Sequence, residues 1–397
     1  MLFLTLVLLL VPVASPFRLP FKLVAVTNVT VAEEQVQQIS NYFVANISIG
    51  TPPQLFTVIV DTLTADLFVP DLSCDIPKGV CSTDDCTGVF CADLCPDKKC
   101  CIQIHDTTNT SSCYGKRQFY SSLSSTYSAL KKPYTIVNSY GTTVGFTGKD
   151  VVRLGDDPKQ TITIPDVSFL QATNVGEAIR QVDADGVLGL AFQSASQTNS
   201  VPPFIQAVNQ GDVNDSMFSI WLEHQNQTDD LGTFGVIYYG GIDPFHCSTA
   251  RQSVALSGAG RYQITVANVN TTSGSKSQST SKNTQTYLDS SNSNIDVPSA
   301  IISNIQNVLG LTAGTIFPPV VPCSTKITLG FTFAGGSYQE VTERDLIQMI
   351  VPGICKLQVT QSTDNRVHLG IPFFRGRCTF FDVNRHTIAF SPALSQN

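Results

Sequence analysis

The sequence predicts an all-β protein, on three observations. Short runs rich in β-branched and aromatic residues recur along the chain, turn signals separate them about every 8–12 residues, and helical periodicity is scarce. The strand candidates, in order, are residues 55–60, 182–191 with its glycines, 218–222 and 387–390. Helical patterns are few, and 203–209, 300–309 and 343–350 are the better candidates. Residues 271–286 are polar, rich in Ser and Thr and without any period, so they predict an exposed loop. The only tryptophan, Trp221, falls in the third strand candidate, where a core or interface position is expected.

The chain has 397 residues, 42% hydrophobic and 14% charged, which excludes general disorder. A single core stops growing beyond roughly 250–300 residues, so two to three domain-sized units are expected. The net charge of −7 argues against nucleic acid, whose binding needs a clustered Lys/Arg surface. Residues 1–13 are an apolar run followed by the small Ala14 and Ser15, too short for a bilayer and read as a signal peptide over 1–15. No later stretch reaches about 18 apolar residues, so no membrane span is expected and the protein is placed outside the cell or in a lysosome-like compartment. Sequons at Asn28, Asn109, Asn214, Asn226 and Asn270 agree with that address, as does Asn46 inside a predicted strand.

Twelve cysteines in such a chain imply six disulfides. Eight crowd between Cys74 and Cys113, where large apolar residues are few and disulfides take over the work of a core. The others are Cys247, Cys323, Cys355 and Cys378. Zinc knuckles of the C-x2-C type are absent, so no metal is expected. The five histidines, His105, His224, His246, His368 and His386, are scattered in loops and strand ends and read as solvated or structural. Neither a G-x-S-x-G elbow, an H-E-x-x-H helix nor a P-loop occurs.

One feature occurs twice. Phe56-Thr-Val-Ile-Val-Asp61-Thr-Leu-Thr64 joins an apolar strand to an aspartate followed by a hydroxyl residue, and Thr286-Tyr-Leu-Asp289-Ser-Ser291 repeats the pattern. Each is followed by a short apolar stretch ending in proline, at Pro70 and Pro298. A lone aspartate after a strand is ordinarily a turn residue or a cap. The duplication points to a pair.

With these loops the chain resembles the pepsin-like aspartic peptidases. Tyr42 to Gln54 matches the family's opening strand and turn, Asp185-Gly-Val-Leu-Gly-Leu-Ala191 its central strand, and Tyr239-Gly-Gly-Ile-Asp243 the end of its first lobe. Leu369-Gly-Ile-Pro-Phe-Phe-Arg375, Phe380-Phe-Asp382 and Ile388-Ala-Phe390 match the closing strands. The cysteine-rich insertion 74–113 is similar to that of nematode members. The resemblance implies a bilobal fold: a short N-terminal segment over 16–40, an N-terminal lobe over 41–243 and a C-terminal lobe over 244–397. It implies Asp61 and Asp289 as catalytic carboxylates that share one proton, Thr62, Thr64, Ser290 and Tyr140 as loop and flap support, and disulfides Cys323–Cys355 and Cys247–Cys378. It further implies a monomer without cofactor, hydrolysing an extended peptide or unfolded protein through a water activated between the carboxylates.

The departures from the family pattern are local. The family's Asp-Thr/Ser-Gly loops carry Leu63 and Ser291 in place of glycine, and Leu63 is expected to crowd the meeting point of the loops. Asn292 replaces the hydroxyl that follows the second glycine. The flap around Tyr140 is two residues shorter than the common form, and the tryptophan that would bond that tyrosine is Phe68. Only Arg18 and Lys22 are basic between residues 16 and 38, too few for the basic segment that family zymogens lay over the dyad. Two readings follow: an aspartic endopeptidase, and a silent homologue that binds peptide without cleaving it.

Overall fold

In a computed structural model the described residues are 17–26, 40–74, 111–154, 161–213, 215–224 and 234–394. The sequons at Asn28, Asn109, Asn214 and Asn226, His105, the residues before 17 and the cysteines between 75 and 110 lie outside them.

The first half is built from β1 (Phe17–Val26), β2 (Ser40–Ile49), β3 (Gln54–Asp61), β4 (Leu67–Pro70), β5 (Ser128–Asn138), β6 (Gly141–Leu154), β7 (Ile162–Asn174), β8 (Gly186–Gly189), β9 (Met217–Leu222) and β10 (Phe234–Tyr239). These join a 13-stranded sheet in the order β9-β10-β1-β2-β3-β8-β4-β7-β6-β5, with Arg377–Asp382, Thr387–Pro392 and Gln252–Ala255 continuing it beyond β9. The C-terminal half carries an 8-stranded sheet centred on Gln263–Ser273 and a 3-stranded one. Within the short N-terminal segment set apart by sequence, β1 is integral to the sheet, paired with β10 on one edge and β2 on the other.

Side-chain alternation explains β3. Phe56, Val58 and Val60 point into the main core, whereas Ile59 points the other way into a second cluster with Val44, Phe68, Tyr140 and Leu170. A strand buried on both faces in this way has little freedom at its end, where Asp61 sits.

The same topology positions each aspartate loop. β8 runs between β3 and β4, parallel to the first and antiparallel to the second. In the other lobe Val367–Leu369 runs between Thr284–Leu288 and Ile295–Val297 with the same two orientations. A glycine closes or directly follows each threading strand, Gly189 or Gly370, and a Cβ there would collide with the backbone of the segment beside it, at Ala65–Asp66 or Asn292–Asn294.

Two helices form where expected, Pro203–Gln210 and Ser299–Leu309, each closed by a left-handed glycine, Gly211 or Gly310. Three expectations are corrected. Residues 343–350 form a helix only over Glu343–Leu346; Ile347–Val351, rich in β-branched residues, is a strand of a hairpin with Ile354–Leu357. Residues 271–286 are not a loop. Gly274, at φ 58°, turns the chain so that Lys276–Thr280 pairs back on Gln263–Ser273, and the polar residues that concealed the strand are on an exposed edge. Of 182–191 only Gly186–Gly189 is strand, fixed by Asp185, whose carboxylate accepts the backbone N–H groups of Thr57 and Arg117, each at 2.8 Å.

Disulfides join Cys74 to Cys113, Cys247 to Cys378 and Cys323 to Cys355. The first closes the base of the cysteine-rich insertion. Trp221 is buried with its ring stacked on His246 at 3.9 Å. Asn46 and Asn270 are half-buried within strands paired on both edges, and each side-chain carbonyl already accepts a hydrogen bond, from Thr57 and Asn268 respectively. Among the described residues no helix is long and apolar enough to cross a membrane.

Candidate active site

The two aspartate loops meet between the lobes and are tied by a reciprocal set of hydrogen bonds. The Thr62 backbone N–H donates to Ser290 Oγ at 3.1 Å, and the Ser290 N–H donates to Thr62 Oγ1 at 3.0 Å. Each hydroxyl then donates across the boundary, Thr62 to the Leu288 carbonyl at 2.7 Å and Ser290 to the Val60 carbonyl at 2.8 Å. All four groups are buried, so the tie is unscreened by water.

The carboxylates that this tie brings together are served alike. Asp61 Oδ1 accepts the N–H groups of Leu63 (2.7 Å) and Thr64 (3.3 Å), while Oδ2 accepts the Thr64 hydroxyl at 2.8 Å. Asp289 Oδ1 accepts both the N–H (3.1 Å) and the hydroxyl (2.7 Å) of Ser291. The hydroxyl that Asn292 lacks is therefore supplied one residue earlier; Asn292 instead donates to Asp296 at 2.7 Å. Burial, then the charge of Asp289, push the Asp61 carboxyl up to about 6, against the hydrogen bonds from Leu63 and Thr64.

Leu63 does not wedge the loops apart. Its amide keeps the bond to Asp61, its carbonyl accepts from Arg261 Nε at 3.0 Å, and its side chain is half-buried, lining a cavity of about 320 Å³ beside Asp289. Tyr42, Ser139, Ser291, Asn292, Ser293, Asp296 and His368 complete that lining.

Tyr140 stands at the turn of the β5–β6 hairpin, where Asn138 pairs directly with Gly141. With so short a turn the phenol drops into the protein. It is 1% exposed, packs in the cluster that contains Phe68, and donates its hydroxyl to Asp61 Oδ2 at 3.2 Å. Burial and the Asp61 charge push its ionisation well above the usual phenol range, so it stays a donor.

One residue at the site was not singled out from the sequence. His368 has its Nδ1 3.8 Å from Asp289 Oδ2 and its Nε2 3.2 Å from Asp364 Oδ2. No sequence signal marks it, because its place is set by strand 367–369, whose Leu369 carbonyl receives the Asp289 N–H at 3.0 Å. Among the described residues no group of His, Cys, Asp or Glu has the arrangement of a metal site.

Comparison with known proteins agrees with this geometry. The family profile described as Eukaryotic aspartyl protease matches residues 41–393. The chain is 31% identical over 357 residues to Aspartic protease 2 of Necator americanus, covering 88% of this chain and 82% of that one. It is 28% identical over 361 residues to Aspartic protease 6 of Caenorhabditis elegans, covering 89% and 82%, and 28% identical over 370 residues to Pepsin A of Bos taurus, covering 90% and 86%. With two aspartate loops tied across a lobe boundary and a family match over nearly the whole chain, this protein belongs to the eukaryotic aspartyl proteases.

Proposed function

We propose that the chain is a secreted aspartic-type endopeptidase that hydrolyses extended peptide through Asp61 and Asp289. The observation that carries this reading is that both carboxylates keep an amide and a hydroxyl donor despite the loss of both loop glycines. Two close carboxyl groups do not both ionise readily, and the partner whose ionisation is raised holds the proton. We assign that role to Asp61, the more completely buried of the two, whose ionisation burial and the Asp289 charge raise. Asp289 then acts as base, taking a proton from water as its oxygen bonds to the scissile carbonyl carbon, while Asp61 gives its proton to the carbonyl oxygen. In the collapse Asp61 recovers a proton from the hydroxyl, Asp289 delivers its own to the leaving nitrogen, and the C–N bond breaks. For a substrate carbonyl to reach Asp61, the phenol of Tyr140 has to move aside. Secretion is supported by the apolar N-terminal run and by the disulfides. The test is cleavage of a denatured protein at acid pH. Endopeptidase activity is expected to be inhibited by a statine-type transition-state mimic and abolished in Asp61→Asn.

A second reading, binding without cleavage, is favoured by Tyr140 on Asp61 and by Leu63 in the cavity. It expects peptide or statine binding without product at any pH.

A further inference from the structure

We infer that His368 is a positioning residue for the carboxylate pair: as a cation it holds the pair's negative charge on Asp289, and so keeps the proton on Asp61. The inference rests on the proposed roles of those two aspartates and goes beyond them, because it names a third ionisable group that sets their charge distribution.

The geometry is a short chain of charges. His368 lies on strand 367–369, beside Tyr287 in the parallel pairing that also delivers Asp289. Its Nδ1 faces Asp289 Oδ2 at 3.8 Å and its Nε2 faces the Asp364 carboxylate at 3.2 and 3.3 Å. The Nε2 contact is a hydrogen bond to Asp364, and as a cation the ring also stands at ion-pair distance from Asp289. The surrounding charges agree. Asp296 on the adjoining strand adds a third carboxylate and Tyr42 lines the cavity beside it. A nearby cation, Arg366, is paired with Asp364 at 3.1 Å and points over the Tyr287 ring. Against these acids the imidazole's desolvation is outweighed, and its ionisation is raised above the ordinary histidine value. The side chain is 17% exposed, so its field at Asp289 is only partly screened.

Among the described residues no cation stands beside Asp61 in this way. Its donors are the neutral amides and hydroxyls of Leu63, Thr64 and Tyr140. His368 therefore adds to an asymmetry that burial of Asp61 begins, because it places a positive charge beside Asp289 and none beside Asp61.

Two measurements on the full chain decide this. The imidazole of His368 is titrated by NMR in wild type, Asp289→Asn and Asp364→Asn, and the pH profile of kcat/KM on an unfolded-protein substrate is compared between wild type and His368→Gln. His368 is expected to titrate above its ordinary value and to fall toward it in both aspartate variants. Both limbs of the profile are expected to move to higher pH by about one unit in His368→Gln, since a carboxyl group that loses a nearby cation ionises less readily. Titration at the ordinary value, unmoved by Asp289→Asn, overturns the inference, and so does a profile that stays in place. If wild type cleaves nothing at any pH while the titration still responds to Asp289→Asn, the charge assignment stands and the endopeptidase reading fails. Asp364→Asn changes only the outer end of the chain, and so remains informative where His368→Gln does not fold.

Discussion

The hydroxyl of Tyr140 donates to Asp61 at 3.2 Å, on the same Oδ2 that accepts from Thr64. In the proposed mechanism this is where a substrate carbonyl needs to reach Asp61. The cause lies in the turn and in its neighbour. The hairpin pairs Asn138 with Gly141, which leaves only Ser139 and Tyr140 to span it, and Phe68 offers no N–H to hold the phenol elsewhere.

Removing the hydroxyl is expected to weaken this closed state. A hydrogen bond of this kind contributes about 0.5–1.5 kcal/mol net, so Tyr140→Phe should tighten binding of a statine-type ligand by about 2- to 10-fold. Isothermal titration of both proteins checks this; weaker binding in Tyr140→Phe would show that the phenol assists ligand instead of competing with it.

The two lost glycines predict opposite outcomes when restored. Ser291→Gly removes a hydroxyl bonded to Asp289 at 2.7 Å, and a bond to a charged group contributes about 1.5–3 kcal/mol, so kcat/KM should fall by about 10- to 100-fold. Leu63→Gly keeps the amide on Asp61 and empties part of the cleft, so KM for substrates with bulky side chains should fall. Steady-state kinetics on the two single variants separates the effects.

The tie between the lobes should be expensive to cut. Thr62→Ala leaves the buried Leu288 carbonyl and the Ser290 N–H each short of a partner, at a cost of about 2–4 kcal/mol. Thr62→Ser should restore most of it. Chemical denaturation of the three proteins gives the comparison.

Asp61 also links stability to pH. Its carboxyl titrates at about 6 in the folded protein against 3.8 for the free group, so the folded state binds the extra proton between those values. Its contribution is fully present below about pH 4 and is lost as pH rises through about 6, by about 3 kcal/mol in all. Asp61→Asn, which has no such ionisation, should gain on wild type as pH is raised from about 4 to 7. Melting temperatures across that range test the sign; a gap that is constant with pH contradicts the raised value.

Much of the architecture was legible because the residues that specify it are local. Apolar alternation in β3, the paired Asp-hydroxyl motifs and the helices closed by Gly211 and Gly310 each declare themselves within a few residues. Legibility failed where a tertiary partner overrides composition. The Ser- and Thr-rich strand 276–280 reads as a loop because it is a solvated edge, and Ile347–Val351 reads as helix until its pairing with 354–357 is known. At the site, the loss of a hydroxyl at Asn292 was visible but its replacement by Ser291 was not, since both occupy one turn and only the side-chain direction distinguishes them. Likewise the placement of His368 against Asp289 depends on a strand pairing between segments far apart in sequence.

The electrostatic coupling of Asp61 to Asp289 is the claim on which the mechanism depends, and carboxyl-carbon NMR of Asp61 in wild type and Asp289→Asn measures it directly. The account predicts a carboxyl titrating near 6 in wild type, falling when residue 289 loses its charge but staying above the ordinary aspartate value because Asp61 remains buried. An Asp61 titration that is the same in both proteins would contradict it.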